Sequence, residues 1–307
     1  MENIKFKENF NNCRTSIYKP ETRQFLLSRI AGSEQETDMS VPSNCDGFGR
    51  IHHFRRNVDK WVQDPLPNDP VCKALEIPYT DVLEAQVFQI ASCNAHCWYC
   101  FVPDELKRGK MVNAKWLTAE QMVELYKKSD TDIRVIDLSG GNPELAPEWT
   151  LDTMKALERN ELQNKVYLWT DDTLTTDYAF EYLSKEELSY MASYRNFGKV
   201  GCFKGFDAHS FAFNSKLPEN MYEKQFERFE RYVDMGLDIY GYVTLTSDNY
   251  DGIEEKMGKF VDRLQKIHPI LPLRTVPLKI FIFTPTGSRL NDRYSMALEN
   301  QTRAIKA

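Results

Sequence analysis

AQVFQIASCNAHCWYCF, Ala85 to Phe101, begins as an apolar run and ends in a loop carrying three cysteines. Ala85–Ala91 reads as a strand. The loop spaces Cys93, Cys97 and Cys100 as C-x3-C-x2-C, and the next cysteine along the chain is Cys202. Three thiolates delivered by one short segment suit a soft metal or an iron–sulfur cluster. Structural zinc usually takes four ligands, so a zinc reading needs His96, His52 or His53 as the fourth. Three ligands on a four-iron cubane leave one iron open, and an open position implies a ligand and chemistry.

Outward from this stretch, strand and helix patterns alternate. Arg134–Gly141, Lys165–Asp172, Lys199–Asp207, Leu237–Thr246 and Pro277–Thr286 read as further strands. Between them lie helix patterns, one opened by Thr118, one by the Ser184/Glu187 capping box and one stopped by Gly236. Strict alternation implies parallel strands with right-handed crossovers. Six strands are too few for the eight-unit barrel, and they suit an open barrel or a doubly wound α/β sheet. In either, the loops at the strands' C-terminal ends build the site, and the cysteine loop is one of them. Residues 1–83 show few long periodic patterns and end in the proline-rich PLPNDPVCKALEIP, so they read as an irregular N-terminal extension. Residues 84–286 form the α/β unit and 287–307 a C-terminal tail.

The chain has 307 residues, 42% of them hydrophobic, enough apolar mass for a large core. Its net charge of −6 argues against nucleic acid or an anionic membrane as partner. HHFRR, His52 to Arg56, reads as a short solvated basic surface. No apolar run reaches the length of a membrane span, and the N-terminus has no signal-peptide core, so a cytoplasmic location is expected. Cys13, Cys45 and Cys72 are too far apart for a local motif and read as free thiols rather than a second cluster. Cys202 reads as a small buried hydrophobe.

The C-x3-C-x2-C loop after a strand resembles the signature of the radical S-adenosylmethionine (radical SAM) enzymes. The resemblance covers about Glu84 to Thr286. It implies a partial (β/α)6 TIM-type barrel in which Cys93, Cys97 and Cys100 hold a [4Fe–4S] cluster. It further implies that S-adenosylmethionine chelates the open iron, that one electron splits its sulfonium, and that a 5′-deoxyadenosyl radical abstracts a substrate hydrogen. Tyr99, before the third cysteine, would lie near the adenine. LSGGNPEL matches the family's GGEP turn at Gly140, Gly141 and Pro143, with Asn142 in place of the acid and Glu144 as a candidate substitute. On this resemblance Gly140–Glu144 would hold the methionine ammonium; Thr170 and Asp171 would face the ribose. Lys204 would face the carboxylate and Asp207 a ribose or substrate hydroxyl. For Asp171, capping a turn is the competing reading. Thr244, Thr246 and Phe283 are candidates to line the cavity.

KGFDAHSF is also similar to a stretch of the glycyl-radical-activating branch, which implies a protein or peptide substrate. An external electron donor such as flavodoxin or ferredoxin is implied too. The other function classes are a non-catalytic zinc- or cluster-binding module and a degenerate member that binds the cosubstrate without cleaving it; nucleotides and small metabolites are the alternative substrates.

Overall fold

The computed structural model describes residues 2–56, 64–129 and 131–305, with side chains from Phe6 onward. The strands are β1 (Tyr18–Lys19), β2 (Gln24–Ser28), β3 (Gly49–Arg55), β4 (Val82–Phe88), β5 (Ala114–Thr118), β6 (Val135–Leu138), β7 (Tyr167–Asp172), β8 (Phe197–Phe203), β9 (Ile239–Thr244) and β10 (Thr275–Leu278). One sheet runs β10-β9-β8-β7-β6-β4-β3. Its six strands from β4 to β10 pair in parallel and in chain order. The sheet is curled into a half barrel, the partial TIM-type fold that the alternation and the resemblance led one to expect.

The two faces of the sheet follow from the period-two alternation of strand side chains. Ala85, Val135, Tyr167, Trp169, Val200 and Tyr242 lie in one buried cluster on the concave face, closed from below by Val71 and Leu75 of the segment around helix Asn68–Ala74. Ile136, Leu138, Leu168, Phe197 and Phe203 lie in the other, packed under the crossover helices. The helix signals of the sequence act as read. Thr118 and Ser184 close capping boxes with Gln121 and Glu187, and Gly236 takes φ +78° just past helix Tyr222–Asp234.

Three readings need correction. The described residues of the first 83 carry regular elements: helix Glu2–Thr15, then β1 and β2, which form an antiparallel sheet with β5. β3 pairs with the whole of β4, so the extension supplies the seventh strand of the barrel sheet. Periodicity hid this because β3 carries polar residues on both faces, Arg50 and His52 on one and His53 and Arg55 on the other. HHFRR is therefore not a free basic surface. His52 meets Asp64 at 2.6 Å, His53 meets Glu84 at 3.1 Å, and Arg56 pairs with Asp69. The last strand is shorter than Pro277–Thr286. It ends at Leu278, and a short helix, Thr284–Gly287, follows with Pro285 in its first turn.

Candidate active site

The cysteine loop leaves the C-terminal end of β4 and is clamped from three sides. The His96 and Trp98 amides donate to the Ser215 and Asn214 carbonyls at the end of helix Ala208–Ser215, at 2.9 and 3.4 Å. The Trp98 indole donates to Asn214 Oδ1 at 3.0 Å, and its ring stacks on Tyr294 with centroids 4.4 Å apart. Arg289 donates to the Cys100 carbonyl at 2.6 Å and Thr286 to the Tyr99 carbonyl at 3.2 Å. The expected C-terminal tail is thus one wall of the loop. The extension is another: the Ala91 amide donates to the Leu26 carbonyl of β2 at 2.9 Å.

The three thiols share one electrostatic neighbourhood. Burial pushes the Cys93 thiol up to about 12, and Cys97 and Cys100 add to the rise. Two lysines stand beside them. Burial opposes the charge of each, yet Lys204 is held well above its usual range by Tyr99, Cys202, Cys97 and Cys93. Lys107 is held above its range by Cys100 and Cys93. A [4Fe–4S]²⁺ core with three thiolates carries a net negative charge, so two flanking ammonium groups suit it electrostatically. Lys107 is buried and was missed in the sequence, where it is one charged residue among several in DELKRGK. Among the described residues no three His, Cys, Asp or Glu side chains meet closely enough to share one metal ion. Thiolates on three separate irons of a cubane stand wider apart than ligands of a single ion. His96 is exposed on the loop, and His52 and His53, both on β3, are bound to Asp64 and to Glu84 of β4.

The glycine turn after β6 abuts the lead-in to the cysteines. Gly140 has φ +80° and Gly141 φ +67°, a region favoured by glycine. A Cβ on Gly141 would fall 2.2 Å from the Ile90 carbonyl and 2.5 Å from that of Ser92. A Cβ on Gly140 would meet Gln89 at 2.6 Å. The two glycines thus permit a close approach between the turn and the lead-in to the cysteine loop.

Asn142 is correspondingly occupied. Its amide donates to Asn94 Oδ1 at 2.8 Å and accepts from the Glu144 amide at 3.3 Å, and its backbone donates to Ser92 at 2.8 Å. Asn94 in turn donates to Thr175 at 2.9 Å. Asn142 is fully buried and ties three loops together. Glu144 is committed as well. It is bonded to Lys199 and accepts from the Tyr232 hydroxyl at 3.0 Å, with Asp172 3.5 Å from the same lysine. Lys199 on β8 points to the convex side, so this buried ion cluster lies under the turn.

Of the remaining candidates, Thr170 is buried and donates to the Leu138 carbonyl at 3.3 Å. Asp171 faces the concave side, accepts from Ser139 at 2.5 Å, and is raised by burial to about 6 although that hydroxyl opposes the rise. Tyr99 is buried with its hydroxyl 3.1 Å from Thr244. Asp207 caps helix Ala208–Ser215, accepting from the Ser210 amide at 2.7 Å, and pairs with Lys256 at 3.2 Å, which takes its carboxylate out of the cavity. Thr246 donates to Asn214, and Phe283 packs on Phe101 with centroids 5.9 Å apart. Cys202 is on the concave face, packed against the lumen cluster, where burial raises it to about 12. Cys13, Cys45 and Cys72 stand apart from one another. Cys13 lies by Ser92, Cys45 by Ser129, and Cys72 is buried on helix Asn68–Ala74.

Asn214 was also missed. Besides holding Trp98, its amide donates to the Lys204 and Thr246 carbonyls, both at 2.8 Å. One side chain thus joins the cysteine loop to the ends of β8 and β9. No sequence signal marks it, because it lies inside an ordinary helix pattern.

The radical SAM superfamily model matches residues 89–259, more than half of the chain. No protein of curated function matches. Among solved structures, the chain is similar to Streptococcus suis SuiB bound to its precursor peptide SuiA, at 15% identity and TM-score 0.41, over 58% of this chain and 36% of that one. It is similar to anSMEcpe with bound AdoMet and Cp18Cys peptide, at 14% identity and TM-score 0.45, over 64% and 51%. The chain thus spans about a third to a half of the length of these proteins. No described helix is long and apolar enough to cross a membrane. On the family match over the barrel and its cysteine loop, the chain belongs to the radical SAM superfamily: it is an enzyme whose cofactors are a [4Fe–4S] cluster and S-adenosylmethionine.

Proposed function

We propose that Cys93, Cys97 and Cys100 ligate the cluster, and that S-adenosylmethionine lies across the C-terminal ends of β6, β7 and β8. The three cysteines carried on one loop that is clamped at the C-terminal end of β4 are the observation that carries this reading, and Lys107 and Lys204 lie close enough for their charges to act on the thiols. When bound, cluster and cosubstrate supply the electron and the 5′-deoxyadenosyl radical that takes a hydrogen atom from substrate. The chain's own residues do the rest. Lys204 offers its ammonium to the methionine carboxylate. The Gly140–Gly141 backbone and the Asp171 carboxylate border the cosubstrate on the concave side. Tyr99, fixed through Thr244, walls the adenine side. Asn142 and Glu144 act beneath the turn rather than on the ligand, which leaves Asp171 as the acid at the strand ends, with Asp137 deeper on the same concave side. Trp98, Arg289 and β2 hold the loop rigid and shield it from water. An external donor such as flavodoxin or ferredoxin delivers the electron.

The test is anaerobic reconstitution with iron and sulfide, followed by dithionite and S-adenosylmethionine. Four irons per chain and 5′-deoxyadenosine are expected, both lost in Cys93→Ala, Cys97→Ala and Cys100→Ala. A single stoichiometric zinc with no chromophore, or a cluster that survives Cys97→Ala intact, overturns the assignment.

A further inference from the structure

The lumen below the cosubstrate layer holds two charged side chains with unmet hydrogen-bonding capacity. Arg50 on β3 and Asp137 on β6 are 8% and 3% exposed. Arg50 Nε and Asp137 Oδ1 are each buried with no hydrogen-bond partner. Buried polar atoms are almost always paired, so two orphans of opposite polarity call for an explanation. They share one transverse row of the sheet, because both are in register with Val87 of β4, one on each side. Neighbouring strands lie about 4.8 Å apart, which sets the two Cα atoms about 10 Å apart. Two residues beyond Asp137 come Ser139 and the glycine turn, so the row lies about 7 Å below the strand ends. The Arg50 guanidinium also sits 5.2 Å from the Phe101 ring, directly after Cys100.

Of the other lumen charges, Lys204 is the cation already assigned to the methionine carboxylate, and the carboxylates have hydrogen-bond partners. Asp171 holds Ser139, and Asp64 holds His52 and Tyr242. What remains in this row is the Arg50 guanidinium and the Asp137 carboxyl group, which feel each other's charge across an apolar floor at Val87 with no hydrogen bond between them, burial and then Asp171 pushing Asp137 well above the usual carboxylate range. The complement of that pair is a small molecule with an anionic group and a protonated nitrogen a few ångströms apart. A peptide backbone segment carries neither charge.

We propose that Arg50 and Asp137 form a recognition pair for the carboxylate and ammonium of a free α-amino acid, the substrate of the radical formed above it. This rests on the reading of the cysteine loop as the cluster site. The substrate class is thereby a small zwitterion rather than the protein or peptide implied by the KGFDAHSF likeness.

The experiment is a thermal-shift and saturation-transfer NMR series on the reconstituted full chain with S-adenosylmethionine. The proteinogenic L-α-amino acids are tested singly, with their α-amides, their N-acetyl forms and short peptides. At least one free amino acid is expected to bind. Its amide and its N-acetyl form are expected to bind at least tenfold more weakly, as is the amino acid itself to Arg50→Gln or Asp137→Asn. Arg50→Lys should recover part of the affinity. Asp137→Asn is nearly isosteric, so it tests the pair even where Arg50→Gln does not fold. Binding of none of the amino acids, equal binding of amide or N-acetyl forms, undiminished binding by Asp137→Asn, or preference for a peptide overturns the proposal. 5′-Deoxyadenosine formation by the unsubstituted protein is scored separately, so failure of the cluster reading is distinguishable from failure of this one.

Discussion

Replacing Gly141 with alanine tests whether the glycine turn acts through the cysteine loop. Two costs follow from the structure. The left-handed φ of +67° costs an alanine about 1–2 kcal/mol. Restricting the unfolded chain offsets roughly 0.4–1 kcal/mol of that. The added Cβ would also lie 2.2 Å from the Ile90 carbonyl, so the turn and the loop must part by about 1 Å, which in a packed interior costs roughly 1–3 kcal/mol. Gly236 separates the two effects. Its φ is +78° and a Cβ there meets nothing within 4 Å, so Gly236→Ala should cost only the conformational part, about 1 kcal/mol. Gly141→Ala should cost about 2–4 kcal/mol. With roughly 2 °C per kcal/mol for a chain of this size, the melting temperatures should fall by about 2 °C and about 4–8 °C. Urea unfolding of the cluster-free protein gives the energies, and iron content after reconstitution gives the consequence for the site. If Gly141→Ala matches Gly236→Ala in stability and reconstitutes fully, the turn does not buttress the cysteine loop and the reasoning fails.

Three other outcomes are expected. Lys199→Met leaves Glu144 and Asp172 buried without their cation, and should destabilise by about 3–5 kcal/mol in urea unfolding; a loss under about 1 kcal/mol contradicts the buried-cluster account. Asn214→Ala strips partners from the Trp98 indole and from the Lys204 and Thr246 carbonyls. It should cost roughly 3 kcal/mol, with altered Trp fluorescence and lowered iron content; unchanged fluorescence speaks against the clamp. Asp171 has its folded pKa raised to about 6, against about 3.9 unfolded. The folded state therefore binds more protons between these values, and the stability this group contributes below about pH 4 is lost as pH rises through about 6. Asp171→Asn should flatten the fall of the urea midpoint across that window; an unaltered slope assigns the dependence to other groups.

The order of parallel strands, the helix caps and the cysteine loop at a strand's C-terminal end were legible in the linear chain. Each is written locally: in period-two runs, in S-x-x-E spacing, in three thiols within eight residues. β3 was not, because its alternation places Arg50 and His52 in the lumen, and such a strand reads as solvated until its partners are known. The roles of Asn142, Glu144 and Asp207 were not legible either. A carboxylate or amide beside a ligand turn looks the same in sequence whether it faces the ligand, caps a helix or pairs with a buried lysine, and the residues that decide the matter, such as Lys199, Asn94 and Lys256, lie about 50 positions away. The sequence by itself determined the α/β alternation and which side chains could bind a cluster, since both depend on neighbours along the chain. Only the tertiary structure decided which polar groups are already satisfied and which remain open in the lumen, since hydrogen bonds and ion pairs form between distant segments and are exclusive once made.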